Sequence, residues 1–298
     1  MTSPHQPETE REHDDHGGLH RDIPALVGRR DMLRMMGGLS LAGLLAACNV
    51  GTVGSTATSG AAGSTSTSAG ATSTTRGTTV TTSATGTSTS ATTAGSEIPD
   101  ETAGPFPADG SNGPNVLDDD GIVRSDITTS IGGSSGVADG VPISFNLSVV
   151  DAATGSALPG AVVYLWHCTA DGRYSIYEIE DENYLRGVQA ADDAGRLSFV
   201  SVFPGCYAGR WPHAHFEVYS SIADATAGTS AIKTSQLALP QTDCEDVYTD
   251  GRYGNSTENL SRLSLDTDGI FADGWTDQLA VMSGSVSDGY TASLLVRV

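Results

Sequence analysis

Ile143-Ser144-Phe145-Asn146-Leu147-Ser148-Val149-Val150-Asp151 alternates apolar and polar side chains, with Ile143, Phe145, Leu147 and Val149 on one face. A period of two sends successive side chains to opposite faces of an extended chain, so the stretch predicts a half-buried β-strand. Pro159-Gly160 marks a turn before a second run, Ala161-Val162-Val163-Tyr164-Leu165-Trp166. Asp192-Asp193-Ala194-Gly195 precedes a strand over 196–203, and Pro204-Gly205 turns the chain again. A strand over 213–219 follows, and one over 292–298 closes the sequence. No long amphipathic helical pattern stands among them. Short strands at this spacing, punctuated by Gly, Pro and Asp, predict an all-β fold built as a β-sandwich. The part from Glu97 to Val298 is long enough to bury a core unaided.

Outward from the strands, the character of the chain changes at residue 97. Residues 51–96 are Ser, Thr, Gly and Ala apart from Val53, Arg76 and Val80. Such a tract cannot bury a core, so 48–96 is expected to be a flexible, disordered tether. Residues 1–47 hold a polar tail, then Arg29-Arg30-Asp31-Met32-Leu33, then an apolar run from Met35 to Ala47. A charged start, an apolar stretch and a small-residue end describe an export signal, and the paired arginines resemble the twin-arginine type. Leu45-Ala46-Ala47-Cys48 resembles a lipobox, in which Cys48 becomes the lipidated first residue of the mature chain. A plain cleaved signal with an incidental Cys48 is the other reading. The expectation is an exported protein, either a cell-surface lipoprotein or secreted, that meets a membrane only through a lipid on Cys48.

Charge narrows the partners. The 298 residues carry a formal net charge of −21. Six arginines and seven acidic residues lie in the first 96 positions. From Glu97 onward nine basic residues face twenty-nine acidic ones, and Lys233 is the only lysine. A surface so negative repels phosphate backbones and anionic lipid, which comes close to excluding nucleic-acid binding and argues against direct docking on such membranes. Cys168, Cys206 and Cys244 remain beyond Cys48. They allow one disulfide and one leftover thiol, with the pairing open. No two lie at CxxC spacing, so a thiolate metal site is not expected.

The chemistry concentrates in Phe203-Pro204-Gly205-Cys206-Tyr207-Ala208-Gly209-Arg210-Trp211-Pro212-His213-Ala214-His215-Phe216-Glu217-Val218. His213 and His215 are two apart on a predicted strand, so both imidazoles project from one face. That is a two-point grip on a metal, although His-x-His alone also describes half-buried strand histidines. The context adds Tyr207 six residues before His213 and Arg210 three before it. No carboxylate lies in the segment until Glu217, so a His-His-carboxylate site needs one from elsewhere. Tyrosinate is a hard, strongly donating ligand that favours ferric iron, and a metal must drive its ionisation because a free phenol ionises near pH 10.

The chain resembles the intradiol ring-cleavage dioxygenases, the superfamily of protocatechuate 3,4-dioxygenase and catechol 1,2-dioxygenase. Thr102-Ala103-Gly104-Pro105-Phe106 matches one of its motifs. Tyr164-Leu165-Trp166-His167-Cys168, followed by Asp171-Gly172-Arg173-Tyr174-Ser175, matches the strand and loop bearing its first tyrosine ligand. Arg186-Gly187-Val188-Gln189 and Asp193-Ala194-Gly195-Arg196 match the link to the second, and Ser235-Gln236-Leu237 matches a later pocket strand. The resemblance covers about 97–237 and implies the β-sandwich of that family over 97–298. Residues 220–230 lengthen the stretch between His215 and Gln236 beyond the family's usual spacing.

Carried over by motif, the resemblance implies non-haem Fe(III) bound by Tyr174, Tyr207, His213 and His215, with Tyr174 and His213 equatorial and Tyr207 and His215 axial. Tyr207 would also act as a base, Arg210 would stabilise charge on the substrate ring, and Gln236 would line the pocket. Thr102, Gly104 and Pro105 would sit at its mouth. Tyr177 and Tyr184 are alternatives to Tyr174, Arg210 has a salt-bridge reading, and His167 reads as a strand histidine with a satisfied hydrogen bond. The implied reaction takes a small aromatic diol and O2. The competing reading is a non-catalytic extracellular module on the same fold that holds an aromatic or a polysaccharide.

Overall fold

The computed structural model describes residues 93–298. The tail and signal over 1–47, lipidation at Cys48 and the tether as far as residue 92 lie outside the described residues. Eight strands are found among those described: β1 (Pro142–Val150), β2 (Val162–Trp166), β3 (Arg186–Ala190), β4 (Arg196–Val202), β5 (His213–Tyr219), β6 (Lys233–Ala238), β7 (Val281–Ser285) and β8 (Gly289–Arg297). They form two four-stranded sheets, ordered β4-β1-β8-β7 and β3-β2-β5-β6. The expected all-β sandwich is the fold observed. Helices are short: α1 (Ile222–Thr226), α2 (Gln241–Val247) and α3 (Ser256–Leu260). None is long and apolar enough to cross a membrane.

The two sheets differ in how they are covered. In the first, β1 runs antiparallel to β4 and parallel to β8, with Phe145 opposite Phe199 and Ala292. Ile143, Phe145, Leu147 and Val149 face inward and Asn146 faces out, as the alternation predicts. In the second, all five residues of β2 are buried. Val163 and Leu165 join the core between the sheets with Ala214, Phe216, Val218 and Leu237. Val162, Tyr164 and Trp166 point the other way, under Ala108, Val116, Leu117 and Ile122. A sheet covered on both faces explains the unbroken apolar run in β2. The covering segment also creates a dry outer face, and β5 crosses that face beside β2.

Two local features bear on the lengthened stretch and the cysteines. Part of 220–230 forms α1, whose first turn is capped by the Ser221 hydroxyl accepting from Asp224 N–H at 3.1 Å. Its Ala225 packs into the outer cluster. No disulfide forms among the described residues: Cys168, Cys206 and Cys244 are free and buried. The Cys168 thiol points at the Gly205 carbonyl and the Cys206 thiol at the Arg210 carbonyl, each 3.5 Å away. Each of these two sulfurs thus meets main-chain oxygen, and burial pushes the Cys206 thiol up to about 12.

His167 follows β2 and faces away from Trp166. Its Nδ1 bonds the Cys168 carbonyl and its Nε2 the Ser201 hydroxyl, both at 2.7 Å. Burial pushes its pKa down from 6.5 to about 4, with the Cys168 carbonyl opposing. The unfolded chain therefore binds this proton first as pH falls. Stability is expected to decline from pH 6.5 down to about pH 4, by roughly 3 kcal/mol for this group. Urea unfolding of wild type and His167→Gln across that range checks it, the variant showing the shallower decline; parallel curves would contradict it.

Candidate metal centre

On β5, His213, His215 and Glu217 project to the outer face while Ala214 and Phe216 enter the core. Register places His215 opposite Trp166 on β2 and Gln236 on β6. The Trp166 and His215 rings stack at 5.0 Å and 5°. His213 Nδ1–H donates to the Trp211 carbonyl, which leaves its Nε2 a bare lone pair. That nitrogen lies 3.0 Å from His215 Nε2 and 3.3 Å from the Tyr207 hydroxyl. The Tyr174 ring stands edge-on to both Tyr207 and His215, at 5.9 and 6.3 Å between centroids. Burial holds both histidines neutral, well below their usual pKa; His213 and Arg210 add to this at His215, and Arg210 adds to it at His213.

These four side chains meet the requirements of a hard trivalent cation. Two neutral imidazoles and two phenols converge, with His213 Nε2 and His215 Nε2 facing each other as the available nitrogen donors. Among the described residues no three His, Cys, Asp or Glu side chains gather, so a metal here depends on the phenols. Glu217 shares the face, but its carboxylate accepts from Tyr219 at 2.6 Å and from Thr234 at 3.3 Å. Burial raises its pKa to about 6. The alternative tyrosines lie elsewhere. The Tyr177 hydroxyl donates to Asn112 and accepts from Ala108 N–H. Tyr184 packs in a separate cluster with Ala138, Leu185 and Val202.

The predicted pocket residues are joined by hydrogen bonds. Arg210 Nη2 donates to Gln236 Oε1 at 2.6 Å, and Gln236 Nε2 donates to the Thr102 carbonyl at 2.9 Å. Gly104 N–H donates to the Thr102 hydroxyl, and Gly104 lies directly on His215. A Cβ there would sit 3.2 Å from His215 Cε1, and its φ of +72° is left-handed. Gly104→Ala is expected to cost about 1–2 kcal/mol, read as a lowered melting temperature. An unchanged melt would contradict the close seat.

One residue escaped the sequence reading. Asp268 is fully buried and accepts four N–H groups. Its Oδ2 takes Arg210 Nε at 3.1 Å and Trp211 N–H at 2.7 Å, and its Oδ1 takes Ile270 and Phe271 N–H at 2.9 and 3.1 Å. The salt-bridge reading of Arg210 is thus met, and the same bridge fixes the chain two residues before His213. Nothing in Asp266-Thr267-Asp268-Gly269 separates this carboxylate from an ordinary turn acid.

Residues 113–226, a span containing Tyr174, Tyr207, Arg210, His213 and His215, match the family model Dioxygenase_C, described as Dioxygenase. An intradiol ring-cleavage dioxygenase from Tetranychus urticae shares 23% identity, covering 68% of this chain and 94% of its own, with a TM-score of 0.54. The fold is that of the intradiol ring-cleavage dioxygenases. A second dioxygenase crystal structure aligns over the same shares at 21% identity, with a TM-score of 0.55. No curated protein matches the chain. The resemblance read from the motifs is therefore borne out in the fold. Within that intradiol fold, the outer face of the second sheet carries His213 and His215, loops bring Tyr174 and Tyr207 beside them, and the covering segment with Thr102, Gly104 and Pro105 closes over them.

Proposed function

We propose that the chain is a non-haem ferric intradiol dioxygenase that opens a catechol-type ring with O2, giving a muconate-type dicarboxylic acid that keeps both oxygen atoms. The observation carrying this reading is the convergence of the His213 lone pair, His215 and the Tyr207 phenol, with Tyr174 beside them and no carboxylate among them. Tyr174, Tyr207, His213 and His215 would hold Fe(III). When bound, the ferric ion supplies a Lewis acid and electron acceptor that makes a bound catecholate reactive toward O2.

The chain's own residues do the rest. Tyr207 is half-buried, whereas Tyr174, His213 and His215 are buried, so it is the donor a substrate reaches first. Its phenol oxygen is placed to accept a substrate hydroxyl proton. Arg210 offers a guanidinium held in place before the reaction, where negative charge grows on the ring. Gln236 and the Thr102–Pro105 loop fix the pocket wall, and the Trp166 stack keeps water from His215. We also propose that the domain works outside the cytoplasm, exported by the Arg29-Arg30 signal and held through a lipid on Cys48. Mass analysis of Cys48 from cell envelopes tests that point; an unmodified Cys48 in a chain retained in the cytoplasm would contradict it.

The visible spectrum of the purified chain, with iron measured on the same sample, tests the enzyme reading. The expected result is about one iron per chain and a broad tyrosinate-to-iron absorption that shifts on anaerobic addition of catechol. A protein that stays colourless after ferric reconstitution would favour the binding-module reading.

A further inference from the structure

Arg186 opens β3 and is fully buried, yet every hydrogen bond of its guanidinium goes to a neutral oxygen. Nε donates to the Ser175 hydroxyl at 3.0 Å and Nη2 to the Ser175 carbonyl at 3.0 Å. Nη1 donates to the carbonyls of Phe106 and Pro107 at 2.9 and 3.0 Å, and to the Tyr164 hydroxyl at 3.2 Å. A buried cation without a carboxylate is costly even when all its donors are satisfied. Its acceptors therefore show what the arrangement accomplishes. They belong to three separate segments: the residue after Tyr174, the loop just past Gly104 and Pro105, and the centre of β2.

The Tyr174 segment needs such a hold. Ile176 and Leu185 have φ values of +74° and +59°, a region that β-branched and bulky residues rarely adopt. Conformations of this kind persist only where the surroundings over-determine them. Ser175 sits between Tyr174 and Ile176, and Arg186 grips it by side chain and main chain together.

We propose that Arg186 is a positioning residue that presets the Tyr174 phenol toward the metal and pins the Thr102–Pro107 loop over His215. This rests on the ferric reading above.

Full-length Arg186→Lys and Ser175→Ala test it. The readouts are ferric retention against a competing chelator in substrate-free protein, the position of the phenolate–iron band, and the melting temperature of the metal-free form. Arg186→Lys keeps the charge but not the two-point grip. Ser175→Ala removes one acceptor and leaves the charge in place, and so remains informative should the lysine variant fold poorly. Each is expected to weaken iron retention roughly 10–100-fold and to move the band, as supporting groups around metal ligands do. Wild-type retention and an unmoved band in Ser175→Ala, or in a folded Arg186→Lys, would overturn the proposal. A wild-type chain that takes up no ferric iron would overturn the ferric reading itself, and this inference with it.

Discussion

Tyr174→Phe is expected to strip the chain of its iron and abolish ring cleavage. The change removes one oxygen from a side chain that is 1% exposed and leaves the ring in place. The edge-on packing against Tyr207 and His215 and the 4.9 Å contact with Phe106 survive it. The metal-free fold should therefore melt close to wild type. On the proposed ferric reading, what is lost is an anionic donor to a trivalent ion. The loss in iron affinity should exceed the roughly 10–100-fold typical of groups that only support a ligand. Iron per chain after dialysis against a chelator and turnover with catechol are the two measurements. A Tyr174→Phe protein with full iron and full turnover would remove Tyr174 from the ligand set. Lost turnover with full iron would instead leave it a pocket residue.

That expectation depends on a residue whose role is legible only in part. The period of two in β5 puts His213 and His215 on one face from the sequence alone, because alternation is a property of the extended chain. Tyr174 carries no such local signal. It lies in an irregular loop, and composition does not separate it from Tyr177 and Tyr184; only the resemblance favours it, and the ring contacts set it beside Tyr207. The strands divide in the same way. β1, β2, β4, β5 and β8 are apolar on at least one face and are readable. β3 begins Arg186-Gly187, β6 begins Lys233-Thr234-Ser235, and β7 ends Ser283-Gly284-Ser285. In β3 and β6 the polar residues are used in bonds to distant segments, such as Arg186 to Phe106 and Pro107, Lys233 to Glu97 and Asp100, or Gln236 to Thr102. Tertiary partners decide such strands, and a local window does not contain them.

Asp268 is the extreme case of a residue decided by distant partners, and its removal carries the second large effect. Asp268→Ala withdraws the acceptor from four N–H groups and leaves the Arg210 guanidinium buried without its counter-charge. Breaking one side of a buried pair costs about 3–5 kcal/mol. For a domain of this size that lowers the melting temperature by on the order of 10 °C. Activity should fall further than stability, because the freed chain includes Trp211, two residues before His213, and because Arg210 loses the bond that fixes its Nε edge. The double variant Asp268→Ala with Arg210→Met separates the two effects. With the buried guanidinium removed it should regain stability relative to Asp268→Ala, while ring cleavage should stay low if Arg210 faces the ring as proposed. Thermal melts of the four proteins in that cycle give the coupling. Strictly additive stabilities would show that the 3.1 Å contact between Arg210 and Asp268 is not energetically coupled. Wild-type turnover in the double variant would show that Arg210 serves the fold and not the ring.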